Sequence, residues 1–547
     1  MLAKERFSQS PRSINMIKIV SFSRTPQICL ALVMVFLTGC GGGGDEGGEP
    51  LPSLPPADSV PLRPIVFSGT TINYDAYTPT ISNYYNVDVY PEPLGLQNDA
   101  IGNLTALAAD TLGLASLFKL GRVNRDCRMA DFNLDGYPDV VCNTYSPAEA
   151  YEADPASSID TICTDAADSY SPDSVAMLFF NNKDGTFIED EAFTNKAIKG
   201  YGETVVVADF NNDGHIDIFM PYYSHCSNNE HSYLLINDGA GNFTDVADSA
   251  GVALRNVSVF FRVEGAQALD FNSDGWIDFY VGGHFFINNQ CNGEKCHPTF
   301  SDQRAALDLP LLFDEGVKFL DWNNDGAIDI MVHHPNTGPA LYQFNGTTFE
   351  LSDVIPSFPS GTYVNSYGMN IYDLNNDGRE DVLLAGGSSI EDRKVVILLN
   401  DGKGFQRANE TVIDDLSNDI IAFGDTNKDG RVDVMTRIGG VLAHFQNETD
   451  TPPNSFISLE IVGMGGEKNQ HGRVVKIQPQ NHAEIIFTRI VDSGSGFLSQ
   501  NQYDMLVGTP YPDTHTVQVY YNTGIVQFVM NPGERKRVYP NGIVVDY

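Results

Sequence analysis

Residues 321–329 read Asp321-Trp-Asn-Asn-Asp-Gly-Ala-Ile-Asp329. The same pattern, D-x-N-x-D-G-x-x-D, recurs at Asp131–Asp139, Asp209–Asp217, Asp270–Asp278, Asp373–Asp381 and Asp425–Asp433. Successive copies start 78, 61, 51, 52 and 52 residues apart. Six copies in near-register make an internal repeat, and such periods mark stacked or radial architectures. The flanks are β-like: Val205-Val-Val-Ala208 enters one loop and Ile330-Met-Val332 leaves another. Each loop therefore joins two strands.

The chemistry of the loop is that of a hard cation. Calcium takes about six to eight oxygens, and short Asp and Asn side chains at positions 1, 3 and 5 of a tight turn supply them. Gly at position 6 permits the bend, position 7 offers its carbonyl, and Asp at position 9 closes the shell. The expected ligands are Asp131, Asn133, Asp135, Tyr137 and Asp139 in the first loop, and Asp209, Asn211, Asp213, His215 and Asp217 in the second. Asp270, Asn272, Asp274, Trp276 and Asp278 form the third set, and Asp321, Asn323, Asp325, Ala327 and Asp329 the fourth. Asp373, Asn375, Asp377, Arg379 and Asp381 follow, then Asp425, Asn427, Asp429, Arg431 and Asp433. An EF-hand is excluded: position 12 is Cys142, Met220, Val281, Val332, Leu384 or Thr436, never Glu. Magnesium, with fewer protein ligands and stricter octahedral geometry, is the poorer match.

A second hairpin follows several loops. Leu178-Phe-Phe-Asn-Asn-Lys-Asp-Gly-Thr-Phe187, Leu234-Leu-Ile-Asn-Asp-Gly-Ala-Gly-Asn-Phe243 and Leu398-Leu-Asn-Asp-Gly-Lys-Gly-Phe405 each read strand, Asn/Asp/Gly turn, strand. Four short strands per repeat of about 50 residues make a propeller blade. Over residues 121–449 the pattern resembles the FG-GAP/VCBS repeat of integrin α-subunits and bacterial surface proteins. That resemblance implies calcium in the loops on one face of a disc and ligands on the opposite face. Residues 60–120, with stretches such as Tyr84–Tyr90, supply a degenerate seventh blade. The expected fold is all-β: a seven-bladed β-propeller over residues 63–450, six blades with calcium loops, then a small C-terminal β-domain.

Thr451-Pro-Pro-Asn454 breaks the repeat, and residues 455–547 alternate as strands, for example Phe456–Val462 and Val517–Tyr521. Ser493-Gly-Ser-Gly-Phe-Leu-Ser-Gln500 resembles the signature of the ASPIC/UnbV domain. Together the two parts resemble the cartilage-acidic-protein/UnbV architecture, which implies a secreted binding protein.

At the other end, Lys18 and Arg24 precede an apolar run from Ile28 to Leu37 that fits a signal peptide, residues 1–39. It ends in Leu37-Thr38-Gly39-Cys40, which resembles a bacterial lipobox with Cys40 as the lipidated residue. Residues 40–62 are Gly- and Pro-rich and read as a flexible tether. Gly41 rather than Asp after the cysteine points to the outer membrane or cell surface. Loss of five bases and one acid with residues 1–39 deepens the net charge from −38 to −42, which excludes a nucleic-acid partner. An exported chain allows disulfides among Cys127, Cys142, Cys163, Cys226, Cys291 and Cys296. The expected pairs are Cys127–Cys142, Cys163–Cys226 and Cys291–Cys296.

The chain has no H-E-x-x-H, G-x-S-x-G or Walker motif, and so no catalytic residue is assigned. Tyr222, Tyr223 and His225 lie in a connection on the face opposite the loops. They suit stacking on a sugar or peptide, or packing between blades. The expected function is a calcium-binding, membrane-anchored surface lipoprotein that binds a protein or carbohydrate through its propeller face. The alternative is a lyase-like, polysaccharide-degrading extracellular enzyme on the same scaffold.

Overall fold

The computed structural model describes residues 17–19, 65–71, 94–98, 104–108, 112–114, 116, 123–145, 175–196, 198, 204–222, 231–255, 265–291, 297–310, 316–334, 338–356, 369–386, 394–408, 421–438, 441–492 and 501–547. Six four-stranded antiparallel sheets follow one another among them, each with one Asp-rich loop between its first two strands. The second is typical: Val206–Ala208, Asp217–Met220, Tyr233–Asn237 and Phe243–Asp245, paired in that order. The innermost strands of consecutive sheets touch along the series. This is the arrangement of a β-propeller, as the repeat period requires. The sixth sheet takes its outer strand from the start of the chain, Phe67–Thr71 pairing antiparallel with Val441–Asn447. The stretch Tyr84–Tyr90 assigned to a seventh blade lies outside the described residues, as do Cys40 and most of the signal and tether. A three-stranded sheet joins Ile17–Ile19, Leu94–Asn98 and Leu104–Ala108.

The core sits between the sheets. Strands with both faces covered read as continuous apolar runs, such as Val206–Ala208, buried along its whole length. Between the second and third sheets Phe210, Phe219, Phe279, Phe286 and Phe300 form one cluster, with Phe210 and Phe279 edge-to-face at 5.5 Å. Position 2 plugs these seams with a buried apolar side chain in four of the six loops: Phe132, Phe210, Trp322 and Leu374. A buried ion pair, Asp126 with Arg128, bridges the first two sheets. Arg128 Nε donates to the Val205 carbonyl at 3.0 Å, and the Val205 N–H donates to Asp126 at 2.8 Å.

Cys127 and Cys142 are register partners across the first hairpin and form a disulfide. Cys291 is disulfide-bonded as well. Cys163, Cys226 and Cys296 lie outside the described residues. Among the described residues no helix is long and apolar enough to cross a membrane.

The last stretch folds into two further four-stranded sheets. One orders Met505–Gly508, Phe456–Ile461, Arg535–Val538 and Val544–Asp546; the other orders Phe487–Ile490, Val474–Pro479, His515–Tyr521 and Gly524–Met530. Their facing residues, among them Ile457, Leu459, Val475, Ile477, Val517 and Val519, make a separate core. His515–Tyr521 alternates strictly between buried and half-buried, the period-two pattern of a strand with one covered face.

Candidate cation loops and the domain that covers them

All six loops repeat one hydrogen-bond pattern. The position-1 carboxylate accepts from the position-5 N–H at 2.9–3.1 Å and from the position-6 N–H at 2.8–3.0 Å. The position-3 amide oxygen shares the position-5 N–H at 3.0–3.2 Å. The position-5 carboxylate accepts from the position-7 N–H at 2.8–3.0 Å. Position 4 is left-handed, φ 54–61°, in Leu134, Asn212, Ser273, Asn324, Asn376 and Lys428 alike. Positions 1, 3 and 5 are thus gathered by one turn of backbone, as the spacing implied.

Position 9 does more than close the turn. Asp139, Asp217, Asp278, Asp329, Asp381 and Asp433 are buried at the head of the second strand. Each accepts from the N–H of position 2, and with its other oxygen from the N–H of Asn181, Asn237, Asn288, Phe344, Asn400 or Asn447 on the third strand. These asparagines are a functional class that a reading of turns alone overlooks. Asn237 Nδ2 donates to the carbonyls of Ile216 in its own sheet and Phe132 in the preceding one. Asn288, Asn400 and Asn447 repeat that bridge to Phe210, Trp322 and Leu374.

The donor set suits a hard divalent cation. Every side-chain donor at positions 1, 3, 5 and 9 is an oxygen, with no sulfur among them. Burial pushes the carboxyls of Asp139 and Asp329 up to about 8, those of Asp131, Asp209 and Asp270 to about 6, and those of Asp217, Asp278 and Asp321 well above the usual range. Arg473 beside Asp209 and Asp270 and Arg489 beside Asp321 offset only part of that burial, and a bound cation would supply the remaining countercharge. As the side chains stand, the described residues hold no group of three or more His, Cys, Asp or Glu closed around a metal position. The set needs Asn at position 3 and the position-7 carbonyl to be complete. The position-7 side chains differ: His215 lies 3.1 Å from Asp213, and Arg379 and Arg431 bond to Asp377 and Asp429, whereas Ala327 offers none.

The C-terminal sheets lie across the loops. Asn469 donates to the Gly214 carbonyl at 2.7 Å, Arg473 to Gly275 at 2.7 Å, Lys476 to Gly326 at 3.0 Å and Arg489 to Gly378 at 3.0 Å. The Thr488 N–H donates to Asp321 at 3.1 Å, and Arg535 to Asp425 at 2.7 Å. The loop glycines are also the points of approach. A Cβ on Gly378 would stand 2.8 Å from Phe487, and one on Gly430 2.1 Å from Phe456. A small cavity of about 50 Å³ remains at this junction, lined by Lys318, Tyr372, Glu380, Arg489, Asp492 and Tyr503 among others.

The strands leave the loops toward the other face, and there the connections begin. Tyr222 is 3% exposed, so it packs inside rather than presenting its ring to a ligand, a correction to its reading as a contact residue. Tyr223 and His225 lie outside the described residues. His333, in the strand that leaves the fourth loop, is fully buried, and its backbone N–H donates to the Gly316 carbonyl at 2.9 Å.

Residues 131–220, 321–384 and 373–436 match the family model of the FG-GAP-like repeat. The chain carries FG-GAP-like repeats. Cartilage acidic protein 1 of Xenopus tropicalis is 26% identical over 205 residues, a match covering 35% of this chain and 29% of that protein. The chain therefore spans less than a third of that relative's length. Among solved structures, the biofilm matrix protein Bap1 of V. cholerae superposes with a TM-score of 0.32 at 13% identity, over 76% of this chain and 68% of that one. The rhamnogalacturonan lyase YesW superposes with a TM-score of 0.31 at 10% identity, over 75% and 72%. Within the repeats the matched segments contain the first, second, fourth, fifth and sixth loops; the third, Asp270–Asp278, has the same hydrogen bonds.

Proposed function

We propose that this chain is a calcium-binding, lipid-anchored protein of the cell envelope, at the outer membrane or cell surface. It binds a protein or carbohydrate partner through the propeller face turned away from the loops. The observation that carries this reading is the coverage of the loop face by the C-terminal sheets through Asn469, Arg473, Lys476, Arg489 and Arg535. With one face taken, recognition falls to the other, where the connections differ in length and loops on a rigid scaffold vary most freely. That face carries polar groups at equivalent places in adjacent sheets: His231 with Asp245 and His284 with Asp302, each at 2.8 Å and half-buried. A neutral glycan or a cationic peptide suits a strongly acidic chain better than a polyanion.

Calcium here is structural. Bound in the loops it supplies positive charge to buried carboxylates, while positions 1, 3 and 5 orient the turn and position 9 fixes the second strand. The lipid reading rests on the Leu37–Cys40 motif.

The test is retention and turnover of a panel of neutral and acidic polysaccharides and peptides on the processed chain in calcium. Retention without turnover supports the reading. Release of unsaturated sugar products makes the chain a lyase instead.

A further inference from the structure

The groups that dock the C-terminal sheets are the ones that give the loops their shape. The position-6 carbonyl is the shared point. It faces Arg473 at Gly275, Lys476 at Gly326 and Arg489 at Gly378. The carbonyls of Gly275 and Gly378 also accept from position 4 of the preceding loop, through Asn212 at 2.9 Å and Asn324 at 3.0 Å. The N–H of each of these glycines is gripped by the position-1 carboxylate of its own loop. One glycine, through its N–H on one side and its carbonyl on the other, thus ties a cation ligand, a neighbouring loop and the C-terminal domain together.

We propose that docking of the C-terminal domain and cation binding by the loops are coupled: the domain is a clasp that is tight when the loops carry their ions and loose when they are stripped. The proposal rests on the calcium reading above. Without an ion the carboxylates at positions 1, 5 and 9 repel one another and the turn opens. Opening rotates the position-6 peptide, and the docking groups lose their acceptors. The apolar contacts do not compensate, because Ile486, Phe487 and Phe456 seat on the loop glycines themselves. By linkage, the docked domain in turn holds the loops ready for the ion. Coupling through shape has a sign of its own. A lysine acting only as a nearby positive charge weakens cation binding, so its removal tightens it. A lysine that holds the loop in shape strengthens binding, so its removal loosens it.

The experiment is hydrogen–deuterium exchange on the full chain, with calcium and in excess chelator, together with calcium titration of Lys476→Met. In chelator, the amides of Ile486, Thr488 and Gln502, which donate to the Asn324 carbonyl, Asp321 and the Phe423 carbonyl of the propeller, should exchange at least about tenfold faster in step with the loops, while Val517 and Val519 stay protected. Lys476→Met should bind calcium about fivefold more weakly. Faster loops with unchanged Ile486, Thr488 and Gln502 amides overturn the coupling and leave the calcium reading standing. Unchanged loops in chelator, with no metal in the purified protein, overturn both. Unchanged or tighter calcium binding by Lys476→Met also overturns the coupling. The exchange measurement uses the native chain and stands even where the variant does not fold.

Discussion

Asn237→Ala isolates the contribution of the asparagines that join one propeller sheet to the next. Its side chain donates to the Phe132 carbonyl at 2.8 Å and the Ile216 carbonyl at 3.0 Å, and accepts from the Gly239 N–H at 3.0 Å. Asn237 is 1% exposed, so water does not replace these bonds. Leaving a buried polar group unsatisfied costs about 1–3 kcal/mol. Two carbonyls lose their donor, and relaxation recovers part of the loss, so about 2–4 kcal/mol is expected. The assay is urea unfolding in saturating calcium, read as a shift of midpoint at unchanged slope. Asn289→Ala is the control: its amide meets Thr299 on an exposed strand end, and a change within about 0.5 kcal/mol is expected. If Asn237→Ala costs no more than Asn289→Ala, the bridge between sheets is not a source of stability and the argument for this residue class fails.

Chelation of calcium should lower the melting temperature sharply, with calcium restoring it better than magnesium; at a hundredfold excess over Kd each site adds about 2.7 kcal/mol. Asp213→Ala should lower the calcium-saturated melting temperature, whereas Tyr223→Ala should weaken ligand retention with the melt nearly unchanged. Phe279→Ala, which empties the centre of an aromatic cluster, should cost about 3–5 kcal/mol in denaturant unfolding. Burial pushes the imidazole of His515 down from 6.5 to about 4, so the folded state keeps it neutral. Its contribution is then complete above pH 6.5 and is lost as pH falls toward 4, up to about 3 kcal/mol in all. His515→Gln should flatten the calcium-saturated stability curve over that interval.

What was legible in the sequence was whatever a short spacing encodes. The D-x-N-x-D-G-x-x-D loop fixes a left-handed position 4 and a glycine at position 6 within a few residues, so the turn is the same in all six copies. The Cys127–Cys142 pairing followed from the hairpin, whose partners are only 15 residues apart. The asparagines at 237 and 400 were visible but read as turn residues, because one partner of each lies a sheet away. Asn237 reaches back 105 residues to Phe132, a contact that no local pattern specifies. Tyr222 misled for a related reason. An aromatic in a connection suits either a ligand or a seam, and only the packing of neighbouring sheets decides between them.

The docking of the C-terminal sheets was beyond sequence reasoning altogether. Arg473 finds Gly275 across 198 residues, and it was not among the candidate residues. Its consequence for function is nonetheless direct. An uncovered ring of acidic loops would be a cationic-ligand site in its own right, and the loops themselves would be the natural place to look for a partner. With Arg473 bonded to Gly275 and Arg535 bonded to Asp425, part of that negative charge is answered from within the chain. A soluble partner therefore meets the loop face only by displacing a domain that donates charge-assisted hydrogen bonds, each worth about 1.5–3 kcal/mol. A partner on the far face displaces none of these bonds, and it is there that the connections differ in length from sheet to sheet.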